Sequence, residues 1–343
     1  MLDDLKYIHE RDAQDALGVA EKQWQQLLHE YDVTWKSVGE VKNIMVAGMG
    51  GSALAASCVQ SWPQAKVPFE VVRNYDIPPY AGKGTLFIAS SYSGNTEETL
   101  EALQEAESKG CQIAVIASGG KLGDHAAEKD YPFFKVPGGM QPRMAVFYNF
   151  AALVQLLVLA GCVDAEKLTE LQETANWLKD QTADWLPIVP AAKNPAKQLA
   201  QELMGRAPVV YAGPKLYPAA YKWKINFNEN AKNVAWCNQL PEFNHNEFLG
   251  WTSHPVDKPY AVVDLRSSLE HERVRKRFDI TDKLLSGKRP VAHVVEAKGD
   301  TLLQQLLWTI VLGDFVSLYL ALLNGLNPTP VDLIEKLKGA LTE

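Results

Sequence analysis

The chain has 343 residues, 47% of them apolar, with a net charge of −7 and four dispersed cysteines, Cys58, Cys111, Cys162 and Cys237. That length suits about two domains, the apolar share excludes a disordered chain, and the acidic balance without a long basic run excludes nucleic acid as the main partner. The cysteines show no zinc or disulfide spacing, the charged start "MLDDLKYIHERDAQDA" is no signal peptide, and no apolar run reaches about 18 uninterrupted residues, so a cytoplasmic protein with no membrane partner is expected.

In chain order, residues 1–40 read as a polar helical arm. "NIMVAG" (43–48) is a predicted buried strand, followed by a helix from Ser52 to Trp62. "FEVVRN" (69–74), "GTLFIASS" (84–91), "QIAVIAS" (112–118) and "YPFFKV" (131–136) are further strands. Helices are predicted over Thr96 to Lys109, residues 121–129 and Met144 to Ala160. Strands interleaved with helices imply a parallel sheet covered on both faces. Residues 163–206 carry helical patterns only and read as a connector.

The alternation then restarts. "APVVYAGP" (207–214) is a strand, Tyr217 to Asn228 a helix, and "YAVVDL" (260–265) and "PVAHVVEA" (290–297) are strands. An apolar helix spans 301–324, and a last helix begins at "NPTPVD", with Thr329 as N-cap and Pro330 in the first turn. The expected organisation is an arm (1–40), an α/β domain (41–162), a connector (163–206), a second α/β domain (207–326) and a C-terminal helix (327–343).

Two turns point to an anion. "GMGGSA" (48–53) and "SSYSGNTEET" (90–99) each follow a strand and precede a helix, at the sheet edge where open α/β sheets bind ligands. Ser91, Ser93 and Thr96 offer hydroxyls, Ser52 and Gly51 join from the first turn, and helix N-termini add N–H groups. Hydroxyls and N–H groups without lysine suit a phosphate monoester. The plainer reading is that these residues only cap helices. A dinucleotide site is the other contender. Its ribose-binding acid is missing from the end of the second strand, which carries Arg73 and Asn74.

"GMGGSA", "SYSGNTEET", "QPR", "NENAK" and "FNHNEFLGW", in that order, resemble the bifunctional phosphoglucose/phosphomannose isomerases. The resemblance runs from about Gly48 to the C-terminal helix. It implies two sugar-isomerase (SIS) domains, each a mainly parallel sheet flanked by helices. It implies an aldose–ketose isomerase that interconverts glucose 6-phosphate and mannose 6-phosphate with fructose 6-phosphate through a cis-enediol, with no metal and no cofactor. Such chemistry needs a phosphate anchor, a ring-opening group, a carboxylate to move a proton between C2 and C1, and a cation near the enediolate.

Glu229, in "NFNENAK", is similar to the family's base, with Glu242 and Glu247 as local competitors. His245 resembles the ring-opening histidine, a role suited to an imidazole with an ordinary pKa of about 6.5. In the superfamily this histidine comes from the neighbouring subunit, which implies a homodimer. Arg143 is placed near the C1–C2 end, where a guanidinium stabilises developing negative charge. The family also places a lysine in the site. On the last helix, Val331, Leu333, Ile334, Leu337 and Leu341 define an apolar face expected to be buried. Lys338 falls about 70° from its centre and Lys336 about 130°, so Lys338 is the choice. Gly138, Gly139, Asn228 and Asn230 are expected to leave room for both C2 epimers. The alternative function is a non-catalytic sugar-phosphate sensor. Against it stand the acidic balance and the lack of a basic N-terminal domain.

Overall fold

The computed structural model describes residues 1–35, 39–252 and 259–341. In chain order the helices and strands are α1 (Leu5–Arg11), α2 (Ala16–Glu21), α3 (Gln23–Gln26), β1 (Asn43–Ala47), α4 (Gly50–Ser61), β2 (Phe69–Val72), β3 (Thr85–Ser90), α5 (Glu97–Ser108), β4 (Gln112–Ala117), α6 (Gly120–Lys129), β5 (Phe133–Lys135), α7 (Val146–Leu159) and α8 (Glu166–Gln181). They continue with α9 (Pro195–Leu203), β6 (Ala207–Ala212), α10 (Tyr217–Glu229), β7 (Trp236–Gln239), α11 (Glu247–Gly250), β8 (Tyr260–Arg266), α12 (Glu272–Leu284), β9 (His293–Glu296), α13 (Leu302–Leu323) and α14 (Asp332–Leu341). Contacts divide the chain into two units: Lys22–Lys179, and Met1–Glu21 together with Asp180–Glu343.

The Lys22–Lys179 unit holds a parallel five-stranded sheet in the order β2-β1-β3-β4-β5. β3 and β4 are buried at every residue, which is why they appear as unbroken apolar runs rather than alternating ones. Met45, Ala47, Phe87, Ala89, Val115 and Ala117 form one face, packed under Ala102, Leu103 and Ala106 of α5 and Leu122 and Ala126 of α6. The alternate residues, among them Ile44, Val46, Leu86 and Ile88, are buried on the face that α4 and α7 cover. β1 is followed by a crossover to one side and β3 by a crossover to the other. The carboxyl ends of β1 and β3 therefore border a topological switch point.

The other unit holds a parallel four-stranded sheet in the order β7-β6-β8-β9. Val209, Tyr211 and Val262 pack with Phe243, Trp251, Val274 and Phe278 on one face. α10 lies against β6 and is backed by α13, which also packs on α9 and α2. α13 is apolar and 22 residues long, sufficient by composition to cross a membrane, yet 94% of that window is buried inside the protein. It begins with a full capping box, Thr301 with Gln304.

The structure departs from the sequence reading in several places. The helices of the arm end at Gln26. The rest of the arm to Trp35 has no regular element, and residues 36–38 of that segment lie outside the described ones. β7, α11 and α12 have no counterpart among the expected elements. The last helix starts at Asp332, so Thr329 and Pro330 precede it rather than cap and open it. Its apolar face is not buried within the chain: Leu333 is 81% exposed and no residue of α14 is buried.

Candidate active site

At the switch point of the first sheet, the turns after β1 and β3 interlock. The Ser52 Oγ accepts from the Tyr92 N–H at 3.2 Å, tying the glycine turn to the serine turn. Within the serine turn, the Ser91 hydroxyl pairs with that of Thr96 at 2.7 Å and lies 3.5 Å from that of Ser93. Gly94 N–H donates to Ser91 Oγ at 3.1 Å, and Asn95 N–H donates to Ser93 Oγ at 3.2 Å. Backbone donors thus occupy acceptor positions on the serine oxygens and leave hydroxyl hydrogens to point elsewhere. Thr96 stands at the N-cap of α5 without making a side-chain cap bond. Capping therefore does not account for this hydroxyl, in contrast to Thr301. The result is a cluster of hydroxyl donors at the N-terminus of a helix, with the polarity an anion requires.

Two glycines make the cradle possible. A Cβ on Gly51 would stand 2.7 Å from the Pro142 carbonyl oxygen. Its absence lets the 3-10 turn Pro142–Met144 close on α4, bringing the segment that carries Arg143 beside the glycine turn. Arg143 is 2% exposed. Gly94 has φ +71°, and a Cβ there would lie 1.8 Å from the Gly119 carbonyl oxygen. Neither backbone can yield. Gly94→Ala is expected to cost the ~1–3 kcal/mol of a left-handed backbone and more for the clash. Chemical denaturation should show the loss, and an unchanged unfolding midpoint would contradict the close approach.

The second sheet has the same kind of switch point, between β6 and β8, but its cradle is filled from within. The Glu270 carboxylate accepts from Lys215 N–H and from His271 N–H, each at 3.0 Å. A Cβ on Gly213 would meet the same carboxylate, and Glu270 is buried. A side chain of the protein itself, Glu270, fills the turn after β6.

Glu229 is the last residue of α10 and is half-buried. The other polar side chains of the motif hydrogen-bond around it. Asn228 Nδ2 donates to the Asn233 carbonyl at 2.8 Å, and Asn230 Nδ2 donates to Ser317 Oγ at 2.9 Å. Lys232 Nζ donates to the Glu229 carbonyl at 2.8 Å and to the Pro328 carbonyl at 3.1 Å, closing the helix end. Asn228 and Asn230, expected to leave room for the substrate, both hydrogen-bond beside this turn.

His245 is exposed, at the end of the 3-10 turn Glu242–His245 that follows β7. Its neighbour Glu247 accepts from the Tyr211 hydroxyl and from Asn238 Nδ2 at 2.7 Å. Burial first, and then the Glu247 charge, push the Tyr211 phenol up, so it remains a donor. Glu247 thus anchors the loop. Glu242 accepts from Asn246 Nδ2 at 2.6 Å in an exposed setting. Within this unit, Glu229 and His245 are kept apart. α10 runs back from the carboxyl edge of the sheet over 13 residues, a rise of about 20 Å, which leaves Glu229 at the amino edge. His245 follows the carboxyl end of β7, which is parallel to β6.

Lys338 is exposed and pairs with Glu335 on its own helix at 2.8 Å. The burial that singled it out over Lys336 is not present in the single chain. Among the described residues, no group of three or more His, Cys, Asp or Glu side chains is placed to hold a metal ion. Burial pushes the Cys111, Cys162 and Cys237 thiols up, away from thiolate reactivity.

Two parallel α/β units, the first with a hydroxyl cradle at its switch point, define a double-SIS protein. A SIS-domain model matches residues 39–157, and the model of the bacterial phospho-glucose isomerase C-terminal SIS domain matches residues 192–341. The chain is 37% identical over 308 residues to the bifunctional phosphoglucose/phosphomannose isomerase of Caldicellulosiruptor bescii, covering 89% of this chain and 91% of that one. It is 33% identical over 315 residues to the enzyme of the same name from Aquifex aeolicus, covering 91% and 94%. The chain belongs to the bifunctional phosphoglucose/phosphomannose isomerase family. It is also 33% identical over 270 residues to a D-glucosamine-6-phosphate 4-epimerase of Sulfolobus acidocaldarius, covering 76% and 83%. A glucose-6-phosphate isomerase like protein from Thermus thermophilus shares the fold, with a TM-score of 0.65 at 20% identity over 97% of this chain and 98% of that one. The sequence resemblance to a SIS-domain sugar-phosphate isomerase is thereby confirmed.

Proposed function

We propose that the protein is a cytoplasmic isomerase that interconverts glucose 6-phosphate and mannose 6-phosphate with fructose 6-phosphate through a cis-enediol, without metal or cofactor. The observation that carries this reading is the hydroxyl cradle whose Thr96 makes no cap bond. Gly51, Ser52, Ser91, Ser93 and Thr96 hold the phosphate. Glu229 takes the proton from C2 and returns it to C1. Arg143 stabilises negative charge on the enediolate oxygens.

His245 opens the sugar ring by giving a proton to the ring oxygen. It does so in the site of a second copy of the chain, because Glu229 and His245 sit at opposite edges of one sheet in a single copy. The functional unit is then a homodimer. Lys338 assists ring opening, and its exposed helix is available to reach a partner.

The test is fructose 6-phosphate with purified protein and a chelator, with products separated. Both glucose 6-phosphate and mannose 6-phosphate are expected. A strict need for added divalent metal, or one aldose only, would contradict the proposal. A sensor would bind and convert nothing. The 4-epimerase relative gives a second reading a specific form: supplied with glucosamine 6-phosphate, the protein would then yield the C4 epimer.

A further inference from the structure

A polar seam runs between α10 and α13 and ends at Asn230, the residue after Glu229. Lys222 and Asn226 of α10 and Asn230 at its C-cap stand at i, i+4 and i+8, one face of the helix. On α13, Asp314 and Ser317 stand one turn apart. All five side chains are buried. Lys222 Nζ donates to Asp314 and, at 2.6 Å, to Asn226 Oδ1. Asn226 Nδ2 donates to Asp314 Oδ1 at 2.6 Å. Asn230 Nδ2 donates to Ser317 Oγ, whose own hydroxyl donates to the Asp314 carbonyl at 2.9 Å. Around the seam the helices touch closely: Trp223 Nε1 donates to the Thr309 carbonyl at 2.8 Å, and a Cβ on Gly313 would lie 2.2 Å from Trp223 Nε1.

This arrangement is costly as a source of stability. Removing two charges from water costs much of what their attraction returns, and apolar residues of similar size often do as well. Apolar helix faces can slide past each other by a fraction of a turn, whereas an ion pair and a fixed amide cannot. The pinned residues are Lys222, Asn226 and Asn230, and Glu229 is the neighbour of the last. We propose that the Lys222–Asp314 pair, with Asn226, Asn230 and Ser317, is a positioning device that sets the axial register of α10 on α13 and so the location of the Glu229 carboxylate. The inference rests on Glu229 as the base. Nothing in the seam touches substrate in this account, so binding is spared while the proton-transfer step is not.

The test replaces the ion pair with apolar residues, Lys222→Met with Asp314→Leu. The expected result is a folded variant with a lowered melting temperature, because the buried Asn226 amide loses its Lys222 and Asp314 partners, kcat for fructose 6-phosphate lowered at least tenfold, and KM within twofold. A stable double variant with unchanged kcat would overturn the proposal, as would a rise in KM at constant kcat. Ser317→Ala, which removes one hydroxyl and one partner of Asn230, guards against loss of folding. It should lower kcat about three- to tenfold with KM unchanged, and no change would count against the seam. Glu229→Gln, measured beside them, separates the two claims. If it is inactive while the seam variants keep full kcat, only the positioning role fails. If it is fully active, the base assignment fails and the seam proposal with it.

Discussion

Glu229→Gln should lower the conversion of both glucose 6-phosphate and mannose 6-phosphate together, by about 10²–10⁴-fold, the usual contribution of a positioned acid–base group. The amide keeps the size and polarity of the carboxylate but accepts no proton. The two aldoses differ only in configuration at C2, and removing that proton makes the carbon planar. One carboxylate can therefore serve both through a single enediol. The helix end around Glu229 is closed by Asn228, Asn230 and Lys232, so the substitution leaves the backbone supported and substrate affinity largely intact. Glu242→Gln and Glu247→Gln are the controls. Glu247 is held by Tyr211 and Asn238, so its loss should disturb the His245 loop and stability before it disturbs proton transfer. Loss of one conversion with the other intact would rule out a shared base.

The second large effect concerns the phosphate. Thr96→Val removes a hydroxyl that caps no helix and pairs with Ser91. Ser93→Ala removes a second donor whose oxygen already accepts from Asn95 N–H. Each lost bond to a charged group is worth on the order of 1.5–3 kcal/mol, so KM for the phosphorylated sugar should rise roughly tenfold to a hundredfold per substitution. Steady-state kinetics on both variants measures it. Turnover of unphosphorylated glucose as efficient as that of its 6-phosphate would remove the phosphate from the account altogether.

How much of this was legible in the chain depended on where the determining contacts lie. β1, β3 and β4 could be read directly, because strands buried on both faces appear as continuous apolar runs. The position of the cradle was legible for a different reason: each turn lies within a few residues of its strand. α12 was hidden by its charges. Only Val274, Phe278 and Thr281 are buried, at i, i+4 and i+7 in a strongly charged helix. β7 was hidden by its position at a sheet edge, where Trp236 is 50% exposed and Asn238 and Gln239 take strand places. The face of α14 followed the expected period but is not buried by the described residues, since periodicity says which residues share a side and not what covers it. Glu270 in the second cradle was beyond reach, because it meets Lys215 from 55 residues away. Lys222 and Asp314 are 92 residues apart.

The separation of Glu229 and His245 across one sheet is the structural point that the motifs alone did not contain. It supports the proposal that His245 acts in the site of a second copy of the chain.

The central claim is that a carboxylate moves a proton through an enediol at C1 and C2. Incubating the protein with fructose 6-phosphate in heavy water, with a chelator present and for many turnovers, tests it most directly. The account predicts that the recovered glucose 6-phosphate and mannose 6-phosphate both carry deuterium at C2. Both aldoses formed with protium alone at C2, transferred from C1 without any exchange with solvent, would contradict it.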